Sequence, residues 1–435
     1  MRRLFILASL LVAAAACGSS TVTDAATSGA GGEGSGGGAM TGSTTGPVTI
    51  GSTTTGMAGG PSTTYPAFTP SVPTVAFGFG PVLASPQVYP VFFPGDDSSF
   101  TDQLEDFSNT IGATPYWAAI SGEYNVGAMV GHPAIQAPDA MTGTISDDDI
   151  QAYLEGKLNG DDPTFPTPDA NTLIALYFPD GLDISLQGSQ SCRDFGGYHS
   201  NITLDSNHGL RRVAYSVVPR CHHFGSLSGI DAVTGAASHE YIEAATDPYP
   251  NDQPAYSAVD NEHIYWEFAI GGGEVGDMCA QQQSAFTKFD PFPYTVQRTW
   301  SNAAALAWHN PCVPSNSTLP YFNTAPETPD MINLINYMDA GVNVPVGTSK
   351  TIALDFFSDG PMQDWQIQVF DAAQALGGGQ ADLEFTLDRT SGNNGDRAML
   401  TITSVAQSQF GADAFYVVST AGDQDNVWIG LVGQQ

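Results

Sequence analysis

The chain has 435 residues, with 45 Asp or Glu against 12 Lys or Arg and a formal net charge of −33. A phosphate backbone would be repelled by that charge, which argues against nucleic acid as a partner. Acidity favours solubility and cation binding, but by itself it names no function.

Met1-Arg2-Arg3 and the apolar run over 4–16 read as an export signal. The run is too short to span a bilayer and ends in small residues, as a cleavage site does. Cys17 follows Ala14-Ala15-Ala16 as in a bacterial lipobox. Residues 1–17 are therefore expected to be a signal peptide whose cleavage leaves a lipidated Cys17, anchoring an exported protein to a cell-envelope membrane. Residues 18–64 are nearly all Gly, Ser, Thr and Ala. They cannot bury a core and are expected to form a flexible tether. No later segment is long and apolar enough to cross a membrane. Apart from Cys17, the cysteines are Cys192, Cys221, Cys279 and Cys312. Four cysteines allow three connectivities, and export favours disulfides. Pairing by proximity gives Cys192–Cys221 and Cys279–Cys312. A thiolate metal site is the rival reading, weakened by the lack of a C-x-x-C pair.

Residues 87–94 read as a buried strand closed by Gly95-Asp96-Asp97. Phe100, Leu104, Phe107 and Ile111 recur at helical spacing, which predicts one helix from 99 to about 120. Asp147-Asp148-Asp149 precede a second helix over 150–158, with acids where the helix dipole favours them. The apolar runs at 172–178 and 212–218 predict core strands, and a helix over 232–246 follows. This order suits a zincin-like α/β domain, a mixed sheet with an active-site helix, at residues 65–316. Over 321–435 the texture changes to short alternating strands such as 383–387 and 400–403, broken by Ser391-Gly392-Asn393-Asn394-Gly395. That pattern predicts an all-β sandwich that binds or spaces.

The stretch Ser238-His239-Glu240-Tyr241-Ile242-Glu243, ending at Thr246-Asp247-Pro248, carries the chemistry. Residues four apart on a helix share a face. His239 and Glu243 can therefore grip one ion, with Glu240 beside it as general base. This is the His-Glu-x-x-His zinc helix with Glu in place of the second His. Asp247 reaches the same ion only if the helix breaks before it, which Pro248 permits by disfavouring the α conformation there. An easier third ligand is Glu274, in Gly271-Gly272-Gly273-Glu274-Val275-Gly276-Asp277-Met278-Cys279. Glu274 with Asp277 resembles the later carboxylate pair of gluzincin peptidases, where one acid binds zinc and another orients a ligand. The ion would lower a water's pKa, and Glu240 would pass the water's proton to a leaving amine. Tyr198, His199, His222 and His223 are candidates for stabilising the oxyanion. The structural alternative makes His239 and Glu243 a plain hydrogen-bonded pair. His132, His208 and His309 are expected in solvent, and His263 is a weaker ligand candidate.

Several pieces in this order resemble the phosphate-induced, or EXORDIUM-like, protein family. They are Ser191-Cys192-Arg193-Asp194-Phe195-Gly196-Gly197-Tyr198-His199, Tyr215-Ser216-Val217-Val218 with Cys221, His239-Glu240-Tyr241-Ile242-Glu243 with Thr246-Asp247-Pro248, and the Gly273–Cys279 stretch. The resemblance runs over about residues 80–315, through Val296-Gln297-Arg298-Thr299-Trp300-Ser301-Asn302 to Cys312. It implies an extracellular protein, linked in plants to the cell wall and growth.

The leading expectation is an exported lipoprotein with a metal-dependent peptidase-like domain acting on a peptide, protein or cell-envelope substrate. One divalent metal, zinc first and calcium next, would be held by His239, Glu243 and Glu274. Glu240 is the expected base and His199 a further catalytic group, with Asp247 and Asp277 in support. The alternative is a non-catalytic surface binding protein whose acidic cluster is structural or holds calcium, to which an oxygen-rich set is also suited. A glycosidase is a third reading, but the sequence does not single out a catalytic pair from 45 acids.

Overall fold

The computed structural model describes residues 60–315, 317–334, 336–375 and 380–435. The export signal, Cys17 and all but the last residues of the tether lie outside the described residues.

The first sheet has six strands, two of them the short Val130–Gly131 and Ile135–Gln136 beside the first long one. The four long strands are β1 (Gln87–Phe92), β2 (Thr172–Phe178), β3 (Tyr198–Thr203) and β4 (Arg212–Pro219). Their order is β1-β2-β4-β3, with β1, β2 and β4 parallel and β3 antiparallel at the edge. Every residue of β2 is buried, as a parallel strand covered on both faces must be. The helix expected over 99–120 is two helices, α1 (Ser98–Thr110) and α2 (Pro115–Ser121), with a 3-10 turn between. Pro115 explains the break. It pushes Thr114 out of the α region, and Thr114 then caps the new helix through Trp117 N–H. α3 (Asp147–Asn159) starts earlier than the expected residue 150, because Ser146 and Asp149 form a capping box.

α4 (Ile230–Thr246) lies against β4 and against β5 (Phe292–Gln297). Its residues 232–246 are all buried, the mark of a helix enclosed on every side. Ala236, Ala237, Ala244 and Ala245 let neighbouring backbone come close. Tyr241 OH fixes the helix to the sheet, 2.7 Å from Tyr177 OH and 2.8 Å from Ser108 Oγ. The helix ends at Asp247, which has φ −142° ahead of Pro248, as the proline requires.

The second part is a β-sandwich. Its strands are β6 (Phe322–Pro326), β7 (Asp330–Leu334), β8 (Tyr337–Asn343), β9 (Ser349–Ser358), β10 (Trp365–Asp371), β11 (Leu383–Leu387), β12 (Arg397–Ser404), β13 (Ala412–Ala421) and β14 (Gln424–Gly433). One sheet runs β6-β9-β12-β11 and the other β7-β8-β14-β13-β10, with the short strand Ser391–Gly392 beyond β10. Both parts share one apolar core that reaches from Val75 to Val432. The composition-based end of the tether at residue 64 falls late. Ser62 N already donates to Asn394 O at 2.7 Å, and Asn394 Nδ2 donates to Thr64 O at 2.8 Å. A segment without large apolar side chains gives no compositional sign of such backbone docking.

The disulfides Cys192–Cys221 and Cys279–Cys312 form as proximity predicts. They place the folded body in an oxidising, extracytoplasmic compartment. Among the described residues, no helix is long and apolar enough to cross a membrane.

Candidate metal centre

α4 supplies His239, Glu240 and Glu243, which are 0%, 1% and 1% exposed. The edge strand β3 brings His199. The segment between α5 (Ile264–Ile270) and α6 (Asp277–Ala280) brings Glu274, and Asp277 opens α6. Two trios result, and within each the donor atoms lie within 4.8 Å of one another. In the first, His239 Nε2 is 2.9 Å from Glu243 Oε2 and 3.8 Å from Asp277 Oδ1. In the second, His199 Nδ1 is 3.7 Å from Glu240 Oε2 and 3.8 Å from Glu243 Oε2.

Backbone amides and glycines hold these groups. Glu243 Oε1 accepts from Gly276 N at 3.1 Å and Asp277 N at 3.2 Å. Asp277 Oδ2 accepts from Glu274 N at 3.1 Å, and Gln297 Nε2 donates to Gly276 O at 2.8 Å. A Cβ on residue 276 would lie 2.7 Å from both His239 Nδ1 and Glu243 Oε1. One on residue 197 would lie 2.8 Å from Glu240 Oε1. Only glycine lets the backbone approach so closely.

The residues fit a divalent ion. Both ring nitrogens of His239 lack a hydrogen-bond partner, as do Glu240 Oε1, Glu274 Oε1 and Asp277 Oδ1. The 2.9 Å His239–Glu243 contact is close enough for a hydrogen bond, yet it is not aligned as one. Two ligands of one tetrahedral zinc sit about 3.3 Å apart, given bonds of about 2 Å. Buried unpartnered groups are rare and call for a missing ligand. Among the described residues, no Lys or Arg pairs with Glu240, Glu243, Glu274 or Asp277. Their only cationic partners are the two histidines.

Crowding of acids shifts their protons. Burial pushes Glu274 and Asp277 well above the usual carboxylate range, and the charge of Glu243 pushes them further. Burial also raises Glu240. Burial alone would raise Glu243, but the charge and close contact of His239, with His199 and Glu274, together outweigh it and hold Glu243 low. Burial alone would lower His239, but Glu243, Glu240 and Asp277 outweigh it and raise the imidazole to about 10.

A cleft of about 780 Å³ is lined by His199, Glu240, Glu243, Glu274 and Asp277, among others, while His239 is buried beside them and does not line it. Tyr198 and Ser200 of β3 line it too, and Tyr337 of the sandwich contributes to its wall. Tyr198 OH and Tyr215 OH each donate to Asp147 Oδ1 at 2.7 Å. The sequence reading missed Asp147 as a cleft residue; its place in an acidic first helical turn was the available sign.

The structure brings together His239, Glu240, Glu243, His199, Glu274 and Asp277. Glu274 stands 3.6 Å from His199 Nε2, and the carboxylate that joins the His239 trio is Asp277. Asp247 belongs to neither trio: its Oδ1 accepts from Ala255 N at 2.6 Å, while its carboxylate still bears on Glu274, His199 and Glu243. Its carbonyl oxygen lies 3.1 Å from His199 Nε2. His263 pairs with Asp260 at 2.8 Å and belongs to neither trio. His222 pairs with Asp180 at 2.8 Å on the surface, and His223 lies in a hairpin with Ser228. His132, expected in solvent, stacks on Tyr89 at 4.1 Å. His208 and His309 pair with Asp205 and Asp359, each at 2.8 Å.

No protein-family model and no curated protein matches the chain. Among solved structures, a chimeric titin Z1Z2 carrying a decorin peptide is 14% identical, covers 27% of this chain and 96% of its own, and has a TM-score of 0.17. Titin M4 is 13% identical, covers 27% of this chain and all of its own, and has a TM-score of 0.16. Scores this low define neither the fold nor the function of this chain.

Proposed function

We propose that the protein is a metal-dependent hydrolase of the zincin-like kind that cleaves peptide bonds outside the cytoplasm. The observation that carries this reading is His239, fully buried with both ring nitrogens unpartnered, beside carboxylates that line a cleft of about 780 Å³. His239, Glu243 and Asp277 would hold a divalent cation. When bound, that cation would lower the pKa of a water toward neutrality. Imidazole donors at the centre favour zinc over calcium, which takes oxygen ligands.

Glu240 follows His239 directly and lines the cleft, so its carboxylate accepts the water's proton and returns it to the leaving amine. β3 ends the sheet, and its residues Tyr198, His199 and Ser200 line the same cleft. An extended peptide can pair along such an edge through main-chain hydrogen bonds. Export by residues 1–17, anchoring through a lipidated Cys17 and kinship with the EXORDIUM-like proteins belong to this same proposal.

Metal analysis and peptide hydrolysis of the purified exported protein test it. Zinc should copurify, and Glu240→Gln should cut hydrolysis by about a hundredfold to ten-thousandfold while an ion stays bound. A folded, metal-free protein, or full activity in Glu240→Gln, would sink the reading.

A further inference from the structure

The two trios share only Glu243, and each histidine belongs to a different trio. We propose that the cluster binds two divalent cations, one among His239, Glu243 and Asp277 and one among His199, Glu240 and Glu243, with Glu243 bridging them. This rests on the metal-dependent reading above and adds a second ion to it.

The tautomer of His199 is the first argument. Its Nε2 lies 3.1 Å from the Asp247 carbonyl oxygen, which can only accept, so Nε2 carries the proton. In the neutral ring Nδ1 then presents a lone pair. That lone pair faces Glu240 Oε2 at 3.7 Å and Glu243 Oε2 at 3.8 Å. A lone pair and two carboxylates repel one another unless a positive charge, a metal ion or a second ring proton, sits between them. A backbone carbonyl fixing the far nitrogen is also how metal-binding histidines are commonly oriented.

Glu243 supplies the second argument. Its Oε2 faces both rings, 2.9 Å from His239 Nε2 and 3.8 Å from His199 Nδ1. Its Oε1 is tied to the N–H groups of Gly276 and Asp277, so the carboxylate cannot turn away. Paired ions in two-metal hydrolases lie about 3.5–4 Å apart, a spacing that one shared carboxylate oxygen allows.

Unpartnered buried atoms supply the third. They occur in both trios, Asp277 Oδ1 with the His239 nitrogens in one and Glu240 Oε1 in the other, whereas buried polar groups are ordinarily satisfied.

The metal-free exported chain should be titrated with Zn²⁺ and its bound ions counted, and loaded with Mn²⁺ for electron paramagnetic resonance. Two ions per chain and an exchange-coupled manganese pair are expected. His199→Ala and His239→Ala should each keep one ion and lose the coupled signal. If the wild type binds one ion, kept in His199→Ala and lost in His239→Ala, the second site is overturned and the single-ion reading stands. In that case a protonated His199 supplies the second positive charge. If the wild type binds none, both readings fall. The wild-type count and spectrum decide the matter even if a variant does not fold.

Discussion

His239 cannot bind a cation while both ring nitrogens carry protons. In the metal-free protein its carboxylate neighbours raise its pKa to about 10, and burial holds Asp277 and Glu274 well above the usual carboxylate range. The metal-free cluster therefore holds protons near neutrality that an ion must displace. The metal-free state binds more protons than the loaded one, so lowering the pH favours the metal-free state. Zinc affinity should rise with pH, by about tenfold per unit for each proton displaced. Competition titrations with a zinc chelator across about pH 6 to 8 measure the slope. A flat profile would mean that the cluster is already deprotonated and that the acids are less crowded than the structure has them.

α6 is a single helical turn, too short to hold Asp277 in place by its own hydrogen bonds. Three links from outside set its position: the Cys279–Cys312 disulfide, Gln297 Nε2 on Gly276 O, and Trp300 N on Val275 O at 2.7 Å. The disulfide spans 33 residues, and closing a loop of that length contributes about 4 kcal/mol to stability in the chain-entropy picture. A Cys279→Ser, Cys312→Ser double variant should unfold at lower denaturant and bind zinc more weakly, because Asp277 and the Glu243 amide contacts move together. Unchanged zinc affinity in that variant would show that α6 does not position a ligand. The elements differ in how far the sequence reveals them. β2 and β4 can be read because a strand buried on both faces is a continuous apolar run. The α4 trio can be read because i, i+4 spacing is local chemistry. The pairing of His199 with Glu240 cannot, since it arises only when β3 closes the sheet beside α4. For the same reason Glu274 stands beside His199, while Asp277, one helical turn on, meets His239.

Sequence texture divides the body near residues 316–321, where apolar runs give way to short alternating strands. Packing does not divide there. Trp266 of α5 meets Trp428 of β14 at 5.8 Å, and Tyr265 OH donates to Ile429 O at 3.4 Å. The Asp425 carboxylate accepts from Gln283 N at 2.7 Å and Ser284 N at 2.8 Å, just beyond α6. Tyr337 then reaches the cleft wall from the sandwich side. These contacts bury aromatic side chains of the first part that would meet water if the sandwich unfolded first. An interface of this kind couples the two parts, whereas composition reports only what each strand looks like on its own. The exported body should therefore melt in one calorimetric transition, with calorimetric and van't Hoff enthalpies in agreement. Zinc should move that single transition upward as a unit, because an ion that binds only the native state stabilises everything unfolding with it. Two resolved transitions, with only one shifted by zinc, would show that the sandwich folds independently and that Tyr337 is a passive neighbour of the cleft.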